Sequence, residues 1–163
     1  MKQKTAYLGL FTAVAIIFGY VETLIPVFAG IPGIKLGLAN LSVLFILERY
    51  SLKEAALVSA VRILVIGFLF GNMFSILYSL AGAALSLTVM TLMKKFTDFS
   101  IPAISIAGGV THNVGQLLVA MAIVENTSLL YYAPALLVSG VITGLLIGWL
   151  TGEVLKRVPV SYK

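Results

Sequence analysis

Residues 72–95 read NMFSILYSLAGAALSLTVMTLMKK, and this stretch decides the fold. It contains no charged residue before Lys94, and it exceeds the roughly 20 apolar residues that an α-helix needs to cross the hydrocarbon core of a bilayer. Apolar and polar residues do not alternate along it, as they would in a strand of a membrane barrel. The stretch therefore predicts a transmembrane helix that ends at Lys94 and Lys95.

The whole chain has a composition similar to that of this stretch. Of its 163 residues, 60% are hydrophobic and only 10% are charged, whereas an average soluble domain carries about 25% charged residues. So few charges cannot cover a surface that faces water, which indicates an integral membrane protein. The chain has no cysteine, which excludes disulfides, zinc–thiolate sites, iron–sulfur clusters and cysteine nucleophiles.

Glycine, proline and charged residues divide the chain into six apolar stretches. We expect an all-α bundle that forms a single transmembrane domain over residues 1–163. Its spans are predicted at about 5–26, 34–49, 53–70, 72–94, 101–124 and 129–156. The second and third spans are short, so they are expected to lie shallow or to lean on other helices. The first apolar run is longer than the core of about 7–15 residues in a signal peptide, so we expect it to remain uncleaved.

The cations predict the orientation of the bundle. If both termini lie inside the cell, nine of the eleven lysines and arginines fall on the inner side: Lys2, Lys4, Arg49, Lys53, Lys94, Lys95, Lys156, Arg157 and Lys163. Of the other two, Lys35 lies in an outer link and Arg62 within a span. This positive-inside pattern predicts a topology with both the N and the C terminus inside.

Two helices carry small residues at a spacing of four. The last span contains Gly140, Gly144, Gly148 and Gly152, and the first contains Thr5, Gly9 and Ala13. Such stripes let another helix approach closely and gain van der Waals contact that lipid does not provide. Each stripe either packs inside the bundle or forms a docking face for another subunit.

Arg62 is the clearest polar residue at membrane depth. It lies about eight residues from the outer end of its span, which is roughly 12 Å at 1.5 Å per residue. Ionisable residues at such depth are costly and commonly functional. Arg62 is either the partner of Glu22 in a structural ion pair or the anion-binding group of a water-filled pocket, and both roles are compatible.

Other polar side chains cluster in the same outer half. His112 and Gln116 are four residues apart and share one helical face, and Asn113 lies close to that face. This grouping predicts an outward-facing polar pocket. Its candidate binding residues are Arg62, Asn40, His112, Asn113, Gln116, Lys35, Glu22 and Tyr78, with Tyr131 or Tyr132 as further rings that could stack on a solute.

Several kinds of catalytic site are missing from the sequence. No phosphate-binding loop of the Gly-x-x-x-x-Gly-Lys-Ser/Thr type is present, so the chain carries no ATPase motif of that kind. Asp98 is the only aspartate, so the carboxylate clusters that hold magnesium at prenyl diphosphate sites are absent. No Ser-His-Asp set and no two-histidine metal site can be built. We therefore expect no enzymatic activity, no metal and no cofactor.

Three groups of residues resemble a known family. They are PGIKLGLAN at 32–40, Arg62 with YSLAG at 78–82, and HNVGQ at 112–116 before the glycine-rich last span. Over nearly the whole chain the sequence resembles the Gx transporter family, which is also labelled heptaprenyl diphosphate synthase component I.

That family is similar to the S components of energy-coupling factor transporters. The resemblance implies a multi-pass protein of the prokaryotic plasma membrane that takes up a small anionic, vitamin-like solute or a quinone or isoprenoid precursor. Its implied partners are a membrane scaffold subunit and two ATPase subunits, docked through Thr5, Gly9 and Ala13. The synthase label implies an alternative, a non-catalytic membrane subunit that assists heptaprenyl diphosphate or quinone synthesis.

Overall fold

The computed structural model describes residues 2–25 and 36–158, and within them the chain is helical without any strand. Six α-helices follow one another, with a 3-10 helix before the last. Their bounds are α1 Lys2–Leu24, α2 Leu38–Arg49, α3 Leu52–Phe70, α4 Met73–Phe96, α5 Ile101–Val124, the 3-10 helix Thr127–Tyr132 and α6 Ala133–Arg157. The predicted all-helical class is confirmed for these residues.

Within residues 2–25 and 36–158, four helical segments are long and apolar enough to cross a membrane, and the six predicted spans stay a prediction. They are Lys4–Leu24, Met73–Phe96, Ile101–Val124 and Thr127–Arg157, and they support a multi-pass membrane protein. The helix α2 has only 12 residues, or about 18 Å, against a hydrocarbon core of about 30 Å. The helix α3 is 19 residues long, but it contains Lys53, Glu54 and Arg62.

Two predicted span starts differ from the structure for local reasons. The second span was expected from residue 34, but α2 begins at Leu38 because Gly37 has a φ of +76°, a left-handed conformation that glycine adopts at little cost. The last span was expected from residue 129, but residues up to Tyr132 form the 3-10 helix, and α6 begins with a proline in its first turn. The predicted end of span one, the link that follows it, Lys35 and Lys163 lie outside the described residues.

The short helix α2 lies at the centre of the core. Seven of its residues, including Phe45, are buried, and the Phe45 ring stacks on that of Phe11 in α1 at 4.2 Å between centroids. The same buried cluster takes side chains from every helix: Phe11 and Ala15, Val43 to Leu47, Ala55 and Val58, Leu87 and Met90, Ile104, and Ile147. Because these side chains pack against the other helices, α2 is buried in protein along most of its length.

The outer faces of the longer helices are apolar. Large side chains such as Phe68, Leu77, Leu118 and Ile142 are exposed along the bundle. A soluble monomer rarely exposes an apolar surface of this extent, so it marks a surface that faces lipid.

Cations are concentrated at one end of the bundle, where they connect neighbouring helices. Lys4 Nζ lies 2.5 Å from Glu54 Oε1, and Lys94 Nζ lies 3.2 Å from Glu48 Oε2. Arg49 Nη2 donates to the carbonyl oxygen of Leu155 at 2.6 Å, which satisfies an acceptor left unpaired at the end of α6. We call this the cationic end. Its location on the inner side of a membrane stays a prediction.

Glycines bring α5 into backbone contact with both α4 and α6. A Cβ on Gly115 would lie 3.0 Å from the Cα of Gly82 in α4, and one on Gly144 would lie 2.7 Å from the Cα of Ile106 in α5. Gly140 and Gly148 also face α5, whereas a Cβ on Gly152 would have nothing within 4 Å. Three glycines of the α6 stripe thus pack inside the bundle.

We expect Gly144→Ala to destabilise the protein while Gly152→Ala does not. The new methyl group of Gly144→Ala meets the α5 backbone and forces the helices apart, at a cost of about 1–3 kcal/mol. At Gly152 the methyl group meets open space, and alanine is the better helix former by about 1 kcal/mol. Thermal unfolding in detergent, followed by circular dichroism, measures the difference. Equal melting temperatures for the two variants would contradict the packing described here.

Candidate functional site

A cavity of about 350 Å³ lies in the half of the bundle opposite to the cationic end, and all six helices contribute to its wall. We call it the central cavity. Seven of the eight predicted binding residues line it: Glu22, Asn40, Arg62, Tyr78, His112, Asn113 and Gln116. The eighth, Lys35, lies outside the described residues. The structure therefore brings together side chains that are scattered over five helices.

Arg62 is held in this cavity by α2. Its Nη2 donates to Asn40 Oδ1 at 3.1 Å. Its Nε is buried and has no hydrogen-bond partner among the described residues. A buried donor without a partner costs about 1–3 kcal/mol or more for a charged group, so this N–H is a strong candidate to meet a ligand or a water molecule.

Glu22 lies in the same cavity and contacts the start of α2. Its Oε1 accepts a hydrogen bond from the backbone N–H of Leu38, the first residue of α2, at 2.6 Å. A carboxylate at a helix N-terminus is stabilised by the helix dipole. Glu22 also acts electrostatically on Arg62. The negative charge of Glu22 thus acts both on the N-terminus of α2 and on the guanidinium group of Arg62.

His112 and Gln116 lie one turn apart on the face of α5 that meets α4. A Cβ on Gly82 would lie 2.7 Å from the carbonyl oxygen of His112 and 2.8 Å from Gln116 Cγ. The side chain of Gln116 is buried, and its amide makes no hydrogen bond with the described residues. Because it lines the cavity, this amide can bind a solute.

Asn113 faces the cavity as well, but its amide nitrogen is already engaged. Nδ2 donates to the carbonyl oxygen of Leu136 at 2.7 Å and to Ser139 Oγ at 3.3 Å, both on α6. Asn113 therefore ties α5 to α6 and shapes the wall, and only its carbonyl oxygen is left to meet a solute.

A smaller chamber of about 40 Å³ continues beneath His112 and Asn40, which line both spaces. Three buried serines, Ser59, Ser86 and Ser105, face it. At about 10–15 Å³ for each water molecule, it has room for about three. We did not predict these serines, because isolated serines in apolar helices carry no spacing signal that separates them from packing residues.

Beside the central cavity lies an apolar groove of about 130 Å³, lined by Tyr78, Gln116, Leu117, Ala120, Leu129, Tyr132 and Leu136. We call it the lateral groove. It shares Tyr78 and Gln116 with the central cavity, so the two spaces adjoin at these two side chains. Of the two tyrosines proposed to stack on a solute, Tyr132 lines this groove, whereas Tyr131 is 88% exposed.

The site has no arrangement that suggests a bound metal. Within residues 2–25 and 36–158, no group of three or more His, Cys, Asp or Glu side chains is close enough to hold an ion. The described polar groups that line the cavity are a guanidinium, amides, hydroxyls and one imidazole, together with one carboxylate, which accepts hydrogen bonds. This set suits hydrogen bonding to an organic solute.

Comparison with known proteins gives one match. Residues 11–154 match the family model described as heptaprenyl diphosphate synthase component I. No curated protein and no solved structure matches the chain. The matched range includes every cavity residue named above.

We expect Glu22→Leu to lower the free energy of unfolding by about 1.5–3 kcal/mol, the usual worth of a hydrogen bond to a charged group. The isosteric Glu22→Gln keeps an oxygen that can accept from Leu38, so it should lose less than half as much. Chemical or thermal unfolding in detergent measures both variants. If Glu22→Gln is as unstable as Glu22→Leu, the carboxylate charge matters more than the hydrogen bond to α2.

Proposed function

Because the chain belongs to the heptaprenyl diphosphate synthase component I family, we propose that it is a non-catalytic membrane subunit that binds a small anionic solute in the central cavity. The family name describes a component, which supports action together with partner proteins. The four long apolar helices support a multi-pass membrane location, and we assign it to a prokaryotic plasma membrane.

The observation that carries this proposal is the buried Nε of Arg62, a cationic donor without a partner among the described residues. A guanidinium suits carboxylate and phosphate groups, because its N–H groups match their oxygen atoms in geometry and charge. The cavity volume of about 350 Å³ is near the lower end of the range of about 300–1,000 Å³ for ligand pockets. A vitamin-like solute or a short quinone or isoprenoid precursor fits that size, whereas a heptaprenyl chain does not.

We further propose that the protein is the S component of an energy-coupling factor transporter. In this role both termini lie inside, so the central cavity faces outward and the solute binds from outside. Energy comes from two ATPase subunits through a membrane scaffold. The exposure of Thr5, Gly9 and Ala13 on α1 supports a docking face there, and a Cβ on Gly9 would have nothing within 4 Å.

The alternative is a membrane subunit that assists heptaprenyl diphosphate or quinone synthesis. The family name itself supports this role. In that case the apolar surface and the exposed small residues serve assembly with a prenyl-chain enzyme, and the central cavity binds a precursor without moving it across the membrane.

We expect purified wild-type protein to bind at least one anionic member of a panel of vitamins and quinone precursors, and Arg62→Ala to bind it at least tenfold more weakly. A tenfold loss corresponds to about 1.4 kcal/mol, a modest value for a buried charged contact. Equilibrium binding in nanodiscs gives both affinities. Arg157→Ala is the matched control, because Arg157 lies at the cationic end and pairs with Glu153. Equal affinity in wild type and Arg62→Ala, or no binding of any panel member, would contradict the assignment of Arg62 as the anion-binding group.

Co-purification separates the two roles and tests the docking face. We expect affinity-tagged protein to recover a membrane scaffold and two ATPases, and Gly9→Phe to abolish this recovery by covering the α1 stripe. Gly152→Phe should leave it intact, since Gly152 is the matched open glycine on α6. Recovery of a prenyltransferase without ATPases would instead support the synthase role. Loss only in Gly152→Phe would move the docking face to α6.

A further inference from the structure

We propose that the solute is amphipathic, with a small anionic head in the central cavity and a short apolar chain in the lateral groove. This inference rests on the proposed function, because it assigns a ligand class to the same cavity. It extends the binding site beyond the polar residues that the sequence indicates.

The polar half of the site supports a small anionic head of low charge. Among the described cavity residues, Arg62 is the one cation and Glu22 supplies one opposing charge. Arg62 Nε has no hydrogen-bond partner among the described residues, and the Gln116 amide lines the same cavity. A carboxylate or a phosphate monoester matches this donor set, whereas a highly charged head such as a triphosphate would lack countercharges.

The apolar half of the site lies directly beside the central cavity. The lateral groove takes its wall from Leu117, Ala120, Leu129 and Leu136, with the rings of Tyr78 and Tyr132 at its sides. Tyr78 and Gln116 line both spaces, so the polar and the apolar half adjoin at these two side chains. Gln116 offers its amide to the head, and the ring of Tyr78 offers an apolar surface to the chain.

The size of the lateral groove limits the length of the solute's apolar chain. A groove of about 130 Å³ accepts a few methylene groups or one small ring. Each methylene that leaves water gains about 0.8 kcal/mol, or roughly a fourfold gain in affinity. Affinity should therefore rise with chain length and then level off once the groove is full.

The test uses two homologous series of probes on the full chain in nanodiscs. One series is acetate, butyrate, hexanoate and octanoate, and the other is the matching monoalkyl phosphates. Empty nanodiscs correct for partition into lipid. We expect Arg62-dependent binding whose affinity increases with chain length, and the series that binds more tightly identifies the head group.

Ala120→Phe fills the groove and should weaken binding of the longest probe at least tenfold while the affinity for acetate or its phosphate counterpart stays the same. That unchanged affinity also shows that the variant is folded, and Ala120→Leu provides a milder version. Leu118→Phe is the matched control, since Leu118 is 54% exposed on the lipid-facing side of α5 and does not line the groove.

Each contrary result has a distinct meaning. Binding that depends on Arg62 but not on chain length, or that keeps its chain-length dependence in Ala120→Phe, overturns the amphipathic ligand and leaves the anion site intact. Affinity that keeps rising up to the longest probe without levelling off assigns the chain to lipid rather than to the groove and also overturns this inference. Absence of any Arg62-dependent binding overturns the proposed function itself.

Discussion

The backbone of α5 lies directly against the backbones of α4 and α6, through glycines on two of its faces. In a bilayer no hydrophobic force drives helices together, because lipid is as apolar as the side chains, so close van der Waals packing supplies the attraction. These contacts fix α5 between its two neighbours. They thereby set where His112 and Gln116 face the cavity and bring Asn113 to the carbonyl group of Leu136. The cavity wall on this side therefore depends on residues that have no side chain.

The opposite wall depends on α2 instead. Asn40 near the start of α2 accepts from Arg62, and the first N–H of the helix donates to Glu22. One short element thus positions both charged groups of the described cavity. The C-terminal half of α2 packs in the buried core cluster around Phe45. A ligand that binds Arg62 would act directly on the contact between α2 and α3, whereas α5 is held in place by backbone packing.

Much of this arrangement could be predicted from the sequence. Helix number, the grouping of cations at one end and the meeting of Arg62 with Asn40, His112 and Gln116 follow from periodicity and the scarcity of charge. The structure was needed for Asn113, because spacing does not reveal that its amide nitrogen points to α6. It was also needed for α2, since its true start depends on the backbone angle of Gly37. The lateral groove has no sequence signal, because its leucines resemble any other lipid-facing residues.

The shortness of α2 has a consequence for how the cavity is held together. A helix of 12 residues is below the roughly 17–25 residues that hold a single segment in the hydrocarbon core, and an isolated helix of this length is only marginally stable in water. Its order therefore comes from packing against α1, α3 and α6. The residues of α2 that position Arg62 and Glu22 thus depend on three other helices, so loosening any one of these contacts would disturb both charged groups of the described cavity at once.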